Sequence, residues 1–175
     1  MKCIAIGGVP ASGKSTLMRE VISLCGLKKH WKFKLLNGSM YKNTCIIGHY
    51  PEGQKFGGTD RLSMAAPVDM IKFLDITKTN ILFEGDRLFT KQILKKCIDN
   101  FDTQIIVLRN NDETLKQRHI ERDDNQKESF LKGRKTKINN ILFDPIISEH
   151  TSFYELHDLD DTKKLANKIY EDLYI

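Results

Sequence analysis

Short apolar runs alternate along this chain with segments whose apolar residues recur at helical spacing. Residues 2–6 (KCIAI), 33–36, 81–83 and 104–108 (QIIVL) predict strands, and 153–156 a weaker fifth. The β-branched QIIVL run is typical of a strand covered on both faces. Leu17, Met18, Val21, Ile22 and Cys25 fall on one helical face and predict a helix over 15–25. Further helices are expected over 88–98, 112–122, 135–143 and 162–174, with Asp112 as an N-cap. Strands alternating with helices imply an α/β fold in three layers, a parallel sheet of about five strands with helices on both faces. Residues 37–67 follow neither period and hold Gly38, Gly48, Gly53, Gly57, Gly58, Pro51 and Pro67. A long irregular stretch inside a compact domain usually binds something. Residues 37–75 are therefore expected to form a substrate-binding insert. No repeat or linker interrupts the pattern, so residues 1–175 read as a single domain.

Composition narrows the class without naming it. The chain has 175 residues, 40% hydrophobic and 29% charged, which is ordinary for a globular protein. No apolar run approaches the roughly 20 residues that cross a bilayer, and the N-terminus reads as a strand, not a signal peptide. Cys3, Cys25, Cys45 and Cys97 show no paired spacing, which suits reduced thiols in a cytoplasmic setting, the host cytoplasm if the protein is viral. No membrane association or obligate protein partner is expected. The net charge of +5 fits an enzyme with anionic substrates. Its placement is uneven: between Lys127 and Lys137 five basic residues (Lys127, Lys132, Arg134, Lys135, Lys137) accompany one acid, Glu128.

Between the first strand and first helix lies Gly8-Val9-Pro10-Ala11-Ser12-Gly13-Lys14-Ser15, the pattern G-x-x-x-x-G-K-[ST]. Gly8 and Gly13 let the chain wrap with its N–H groups inward, forming an anion nest. The helix behind directs its positive end at the same phosphates. Lys14 is placed to reach the β- and γ-phosphates of ATP and the Ser15 hydroxyl to hold Mg²⁺. Gly8, Ala11, Ser12, Gly13, Lys14, Ser15 and Thr16 are thus the expected nucleotide-binding residues. Guanine-reading Asn-Lys-x-Asp and a transporter-type Leu-Ser-Gly-Gly helix are both absent.

A second candidate is Phe83-Glu84-Gly85-Asp86-Arg87, with two carboxylates at the C-terminal end of a strand, where open α/β sheets bind ligands. A third is the helix bearing Arg118 and Arg122, four apart on one face.

With GGVPASGKST and an Arg-bearing helix after the fourth strand, the chain resembles the P-loop kinases of nucleosides and nucleotides. The resemblance implies ATP-dependent phosphotransfer and a P-loop NTPase fold. It further implies that Asp86 or Glu84 is the base, with Asp86 and Ser15 organising Mg²⁺, and that Arg87 steadies a phosphate or carboxylate. It makes residues 112–137 a lid-like basic region whose Arg118 and Arg122 close over the phosphates, with Arg134 and Lys137 as further contributors.

The acceptor stays open between DNA and a free nucleotide. The cluster Gly57-Gly58-Thr59-Asp60-Arg61 lets a backbone approach a ligand closely. Thr59, Asp60 and Arg61 could read a base edge, sugar or phosphate, and Tyr50 or Phe56 could stack on a base. Asp60 is equally expected to cap a helix over 62–74. Gly-Gly-Thr-Asp-Arg-Leu-Ser, Phe-Glu-Gly-Asp-Arg and Gly-Arg-Lys-Thr-Lys-Ile-Asn-Asn-Ile together resemble a divergent phage-associated group of kinases linked to hydroxymethylated pyrimidines in DNA. On that resemblance the basic stretch would track a DNA backbone, and the target base would be flipped outward. A nucleoside or deoxynucleoside monophosphate kinase is the alternative, and a P-loop ATPase or nucleotide-binding module without transfer is another.

Overall fold

The computed structural model describes residues 1–51, 57–121 and 127–174. Seven strands, β1 (Lys2–Gly8), β2 (Lys29–Phe33), β3 (Leu36–Tyr41), β4 (Thr44–Ile47), β5 (Asn80–Glu84), β6 (Asp102–Arg109) and β7 (Thr151–Glu155), form one sheet. Its order is β2-β3-β4-β5-β1-β6-β7. From β4 to β7 every neighbouring pair is parallel, while β2 and β3 add antiparallel pairings at one edge. The sheet is therefore mixed and seven-stranded, in place of the expected parallel sheet of about five.

Among the described residues there are seven α-helices: α1 (Lys14–Leu24), α2 (Ala66–Ile76), α3 (Lys91–Asn100), α4 (Asp112–Glu121), α5 (Glu128–Leu142), α6 (Pro145–Glu149) and α7 (Leu159–Tyr174). Two apolar cores lie on opposite faces. One packs Ile4, Ile6, Ile106 and Leu108 against Leu17, Met18 and Val21 of α1 and Leu165, Ile169 and Leu173 of α7. The other packs Cys3, Ala5, Ile105 and Val107 against α2, α3, α5 and α6. Successive residues of β1 and β6 thus feed alternate cores, as a strand covered on both faces must.

The expected insert is where sequence and structure part. Residues 33–36 are not one strand: Phe33 ends β2, Leu36 begins β3, and the turn lies between them, with Lys34 at φ 52°. Residues 37–47, expected to be irregular, belong to two strands, β3 and β4, joined by a tight turn with Lys42 at φ 49°. Lysine at positive φ gives no warning of a hairpin, since Asn-Gly or Gly-Gly is the usual signal. Gly38, which suggested a loop, is there because a Cβ would meet the Ile46 carbonyl oxygen at 2.0 Å. Asp60 does not cap a long helix: Thr59–Arg61 is a single 3₁₀ turn, and α2 begins at Ala66. Asp112 likewise starts α4 while Asn111 caps it, its Oδ1 accepting from the Thr114 N–H at 2.7 Å. Among the described residues no helix is long and apolar enough to cross a membrane.

Two glycines should respond to alanine in opposite directions. Gly38→Ala forces backbone apart and should destabilise by roughly 1–3 kcal/mol. Gly133→Ala, inside α5 with nothing within 4 Å of a new Cβ, should stabilise, by about 0.5–1 kcal/mol. Urea unfolding of both variants checks this; a neutral Gly38→Ala would contradict the close pairing of β3 with β4.

Candidate functional site

The loop after β1 meets α1 at Gly13, which holds φ 101°, with Ala11 at φ 62° and Gly8 at φ 148°. Ser12 N–H closes the turn onto the Val9 carbonyl at 3.2 Å. Lys14 folds back over the loop, donating from Nζ to the carbonyls of Gly8 (2.8 Å) and Val9 (2.9 Å). Ser12 is fully buried and its hydroxyl has no hydrogen-bond partner. A buried, partnerless hydroxyl in a loop of this shape fits an incoming acceptor of hydrogen bonds such as a phosphate oxygen.

Glu84 is the last residue of β5 and only 2% exposed. The Ser15 and Tyr50 hydroxyls each donate to its Oε1 at 3.5 Å, and Thr59 Oγ1 donates to its carbonyl at 2.6 Å. The chain passes this close because residue 58 is glycine: a Cβ there would lie 2.0 Å from Glu84 Oε1, and its φ is 81°. Burial lifts the Glu84 carboxyl from 4.5 to about 7, against the lowering pull of the Lys14 ammonium; Asp60 raises it further, and the Ser15 and Tyr50 hydrogen bonds oppose that. Burial first, then the Glu84 charge, also pushes the Tyr50 hydroxyl well up. Ser15 Oγ and a carboxylate side by side are hard oxygen donors of the kind Mg²⁺ takes.

Asp86, two residues on, faces elsewhere, because β5 ends at Glu84 and Gly85 at φ 100° breaks the strand period that would put both acids on one face. Arg134 of α5 pairs with its Oδ2, and Lys137 Nζ reaches its Oδ1 at 2.9 Å and its carbonyl at 2.8 Å. The acid beside Ser15 is therefore Glu84, not Asp86. Arg87 donates to the Asp60 carbonyl at 3.3 Å and to the Met64 sulfur. Arg118 reaches back from α4 to the carbonyls of Ala11 (3.4 Å) and Leu156 (2.6 Å).

Two cavities flank the loop. The larger, about 480 Å³, is walled by Ala11, Lys14, Ser15, Asp60, Glu84, Asp86 and Arg87 together with Phe130, Arg134 and Lys137. The smaller, about 300 Å³, lies between Gly13, Thr16 and Arg118 on one side and Leu156, Asp158 and Thr162 on the other. Expected residues divide accordingly. Thr59 is buried and structural, holding the Glu84 backbone, while Tyr50 buttresses its carboxylate. Arg61 is exposed and lines neither cavity. Arg122 and Phe56 lie outside the described residues.

Sequence reasoning missed the smaller cavity's Leu156, Asp158 and Thr162. The available signal was their place just beyond a parallel strand, at the mouth of the sheet.

No protein-family profile matches the chain, and no curated protein does. Among solved structures it is similar to a shikimate kinase from Acinetobacter baumannii in complex with shikimate, at 13% identity and TM-score 0.49, covering 97% of this chain and 90% of that one. It is also similar to an unliganded sugar kinase from a Janibacter species, at 16% identity and TM-score 0.46, covering 99% and 96%. Likenesses this loose carry no conclusion about what this chain acts on.

The raised Glu84 carboxyl predicts a pH dependence of stability. Below about 4.5 the group is protonated folded and unfolded; above about 7 it is charged in both, and the folded state bears the full burial penalty. Its contribution to stability should therefore fall across that window, by roughly 3 kcal/mol. Glu84→Gln cannot ionise, so it should unfold at higher urea than the parent near about pH 8, with the gap closing near about pH 4.5. Equal urea midpoints at the higher pH would rule out a carboxyl held this way.

Proposed function

We propose that this chain is an ATP-dependent phosphotransferase that moves the γ-phosphate of ATP to a hydroxyl of a small acceptor. The carrying observation is the buried Glu84 carboxyl beside Ser15 at the mouth of the loop, opening onto the larger cavity. In this reading the smaller cavity takes the nucleoside of ATP and the larger takes the acceptor, so that the loop lies between donor and acceptor. Lys14 exchanges its two loop carbonyls for phosphate oxygens and spreads positive charge over the transferring group. Arg118, already bridging Ala11 and Leu156, clamps the phosphate chain from the α4 side. Ser15, with Glu84 alongside, would hold Mg²⁺, which neutralises the charge of the phosphates. Glu84, buried at the mouth of the loop, receives the hydroxyl proton as the acceptor oxygen attacks phosphorus and ADP leaves.

The DNA acceptor, read from a resemblance of motifs, loses part of the basic stretch that was to track a backbone, because two of its five cations turn inward. Arg134 and Lys137 turn inward to Asp86, Lys132 pairs with Glu128 and Lys135 with Asp112. A cavity of about 480 Å³ suits a mononucleotide or a compact hydroxy compound.

Transfer of label from γ-labelled ATP to a panel of nucleosides, mononucleotides and hydroxy acids, beside a hydroxymethylpyrimidine oligonucleotide, tests the reading. Lys14→Ala should lower turnover roughly 10²–10³-fold with the fold intact; parent-level turnover would remove the phosphotransfer reading. Label released only as phosphate, with every acceptor, would identify an ATPase instead.

Glu84→Gln should cost roughly 10²–10⁴-fold in kcat, the usual scale for a lost base. In the parent, kcat/KM should climb as pH rises past the Glu84 titration and then level, and because Mg²⁺ beside the carboxyl favours its charged form the limb should lie below about 7. Residual activity of the variant should lack that limb. A variant that keeps both rate and limb would take the base role from Glu84.

A further inference from the structure

Phe130, Arg134 and Lys137 share one face of α5, and that face walls the larger cavity. The Arg134 guanidinium lies over the Phe130 ring, 4.6 Å from its centre, which fixes the plane of its fork. Arg134 and Lys137 grip opposite oxygens of Asp86. The neighbouring Arg87 lines the same cavity, and its hydrogen bonds go to uncharged atoms, the Asp60 carbonyl and the Met64 sulfur. Asp60 also faces the cavity, yet its carboxylate forms no ion pair with any of the three cations. Two cations thus share the Asp86 carboxylate and a third lines the same cavity, so the three exceed the charge of Asp86 and Asp60 by one.

We propose that Arg134, Lys137 and Arg87 form an anion subsite for the acceptor, and that Asp86 is its internal counter-ion, displaced when the acceptor's own phosphate or carboxylate arrives. The inference rests on the phosphotransfer reading above and adds that the acceptor is itself an anion. Asp86 and both α5 cations are about one-third exposed (33%, 34% and 33%), so water reaches the pairs and exchange is easy. A guanidinium fork accepts a carboxylate and a phosphate with the same two parallel bonds, and Lys137 adds a movable point charge. An uncharged polyol offers nothing in exchange for Asp86 and leaves the pairs closed. The subsite would then select anionic acceptors by an ion-pair swap, and would leave the carboxylate of Asp86 free only when an acceptor is seated.

The test uses the full chain, loaded with Mg²⁺ and a non-hydrolysable ATP analogue so that the phosphate loop is filled through its γ position. Isothermal titration then follows inorganic phosphate, acetate and erythritol. One equivalent of phosphate or acetate should bind and erythritol should not. Phosphate binding tighter than acetate points to a phosphomonoester acceptor, and the reverse order to a carboxylate. Arg134→Gln with Lys137→Gln should weaken the anion about tenfold or more, the scale of a lost charged hydrogen bond. Asp86→Asn removes the competitor and should bind the same anion several-fold tighter, a gain that a purely structural Asp86 would not produce. If the double variant fails to fold, the direction of the Asp86→Asn change decides. Analogue binding without any anion binding, or anion binding indifferent to the double variant, overturns the subsite and leaves the phosphotransfer reading standing. Weaker anion binding in Asp86→Asn overturns the counter-ion role. A protein that does not bind the analogue loses that reading, and the subsite with it.

Discussion

A carboxyl group buried at the end of β5 is the constraint around which the site is built. Glu84 is nearly without solvent, and a charge there is tolerated only because Lys14 stands near it and two hydroxyls donate to it. Those supports come from the start of α1 and the segment after β4, and the turn before α2 adds a third by holding the Glu84 carbonyl. Each must be in place for the others to make sense. The glycine at position 58, whose only apparent merit is having no side chain, allows the last of them to close.

The sheet makes such convergence possible. β1 and β5 are direct parallel neighbours, with Ile6 opposite Glu84, so the phosphate loop and the acid leave the same edge side by side. Cores on both faces hold this edge still: α1 and α7 pack beneath one side, α2, α3, α5 and α6 beneath the other. α5 then contributes twice, through Ile138 and Ile141 to the core and through Arg134 and Lys137 to the cavity. A single helix thereby ties apolar packing to the electrostatics of the proposed acceptor site.

Much of this was legible from residue order, and the failures have physical causes. β1, β5 and β6 were visible because strands covered on both faces must be apolar throughout. The phosphate loop was visible because its chemistry demands glycines and a lysine at fixed spacing. β2 and β3 were not, because they carry Lys29, His30 and Lys32 to solvent and half-buried Asn37 and Ser39, and the turns at Lys34 and Lys42 use lysine where a reader looks for glycine; β4 is buried throughout but only four residues long. Edge strands often bear such charges, which discourage pairing with other chains. Glu84 and Asp86 were both recognised, yet their separate tasks were beyond sequence. Those depend on Tyr50, Ser15, Arg134 and Lys137, residues that lie far from them along the chain and meet them only in the fold.

The strand that carries the phosphate loop is also the one with the most distant partners. β1 is hydrogen-bonded on one side to β5 and on the other to β6, and Lys2 and Asn80 meet directly at 2.9 Å. Near the other end of the chain, Lys2 donates from its side chain to the Asp172 carbonyl and Asn80 to that of Leu173. A ribosome therefore releases the loop long before it releases the strands that hold it in shape. Pairings of such long range form late and slowly. During synthesis the nascent loop has no neighbouring strand to lean on until β5 and β6 have emerged, and its shape can be completed only after both.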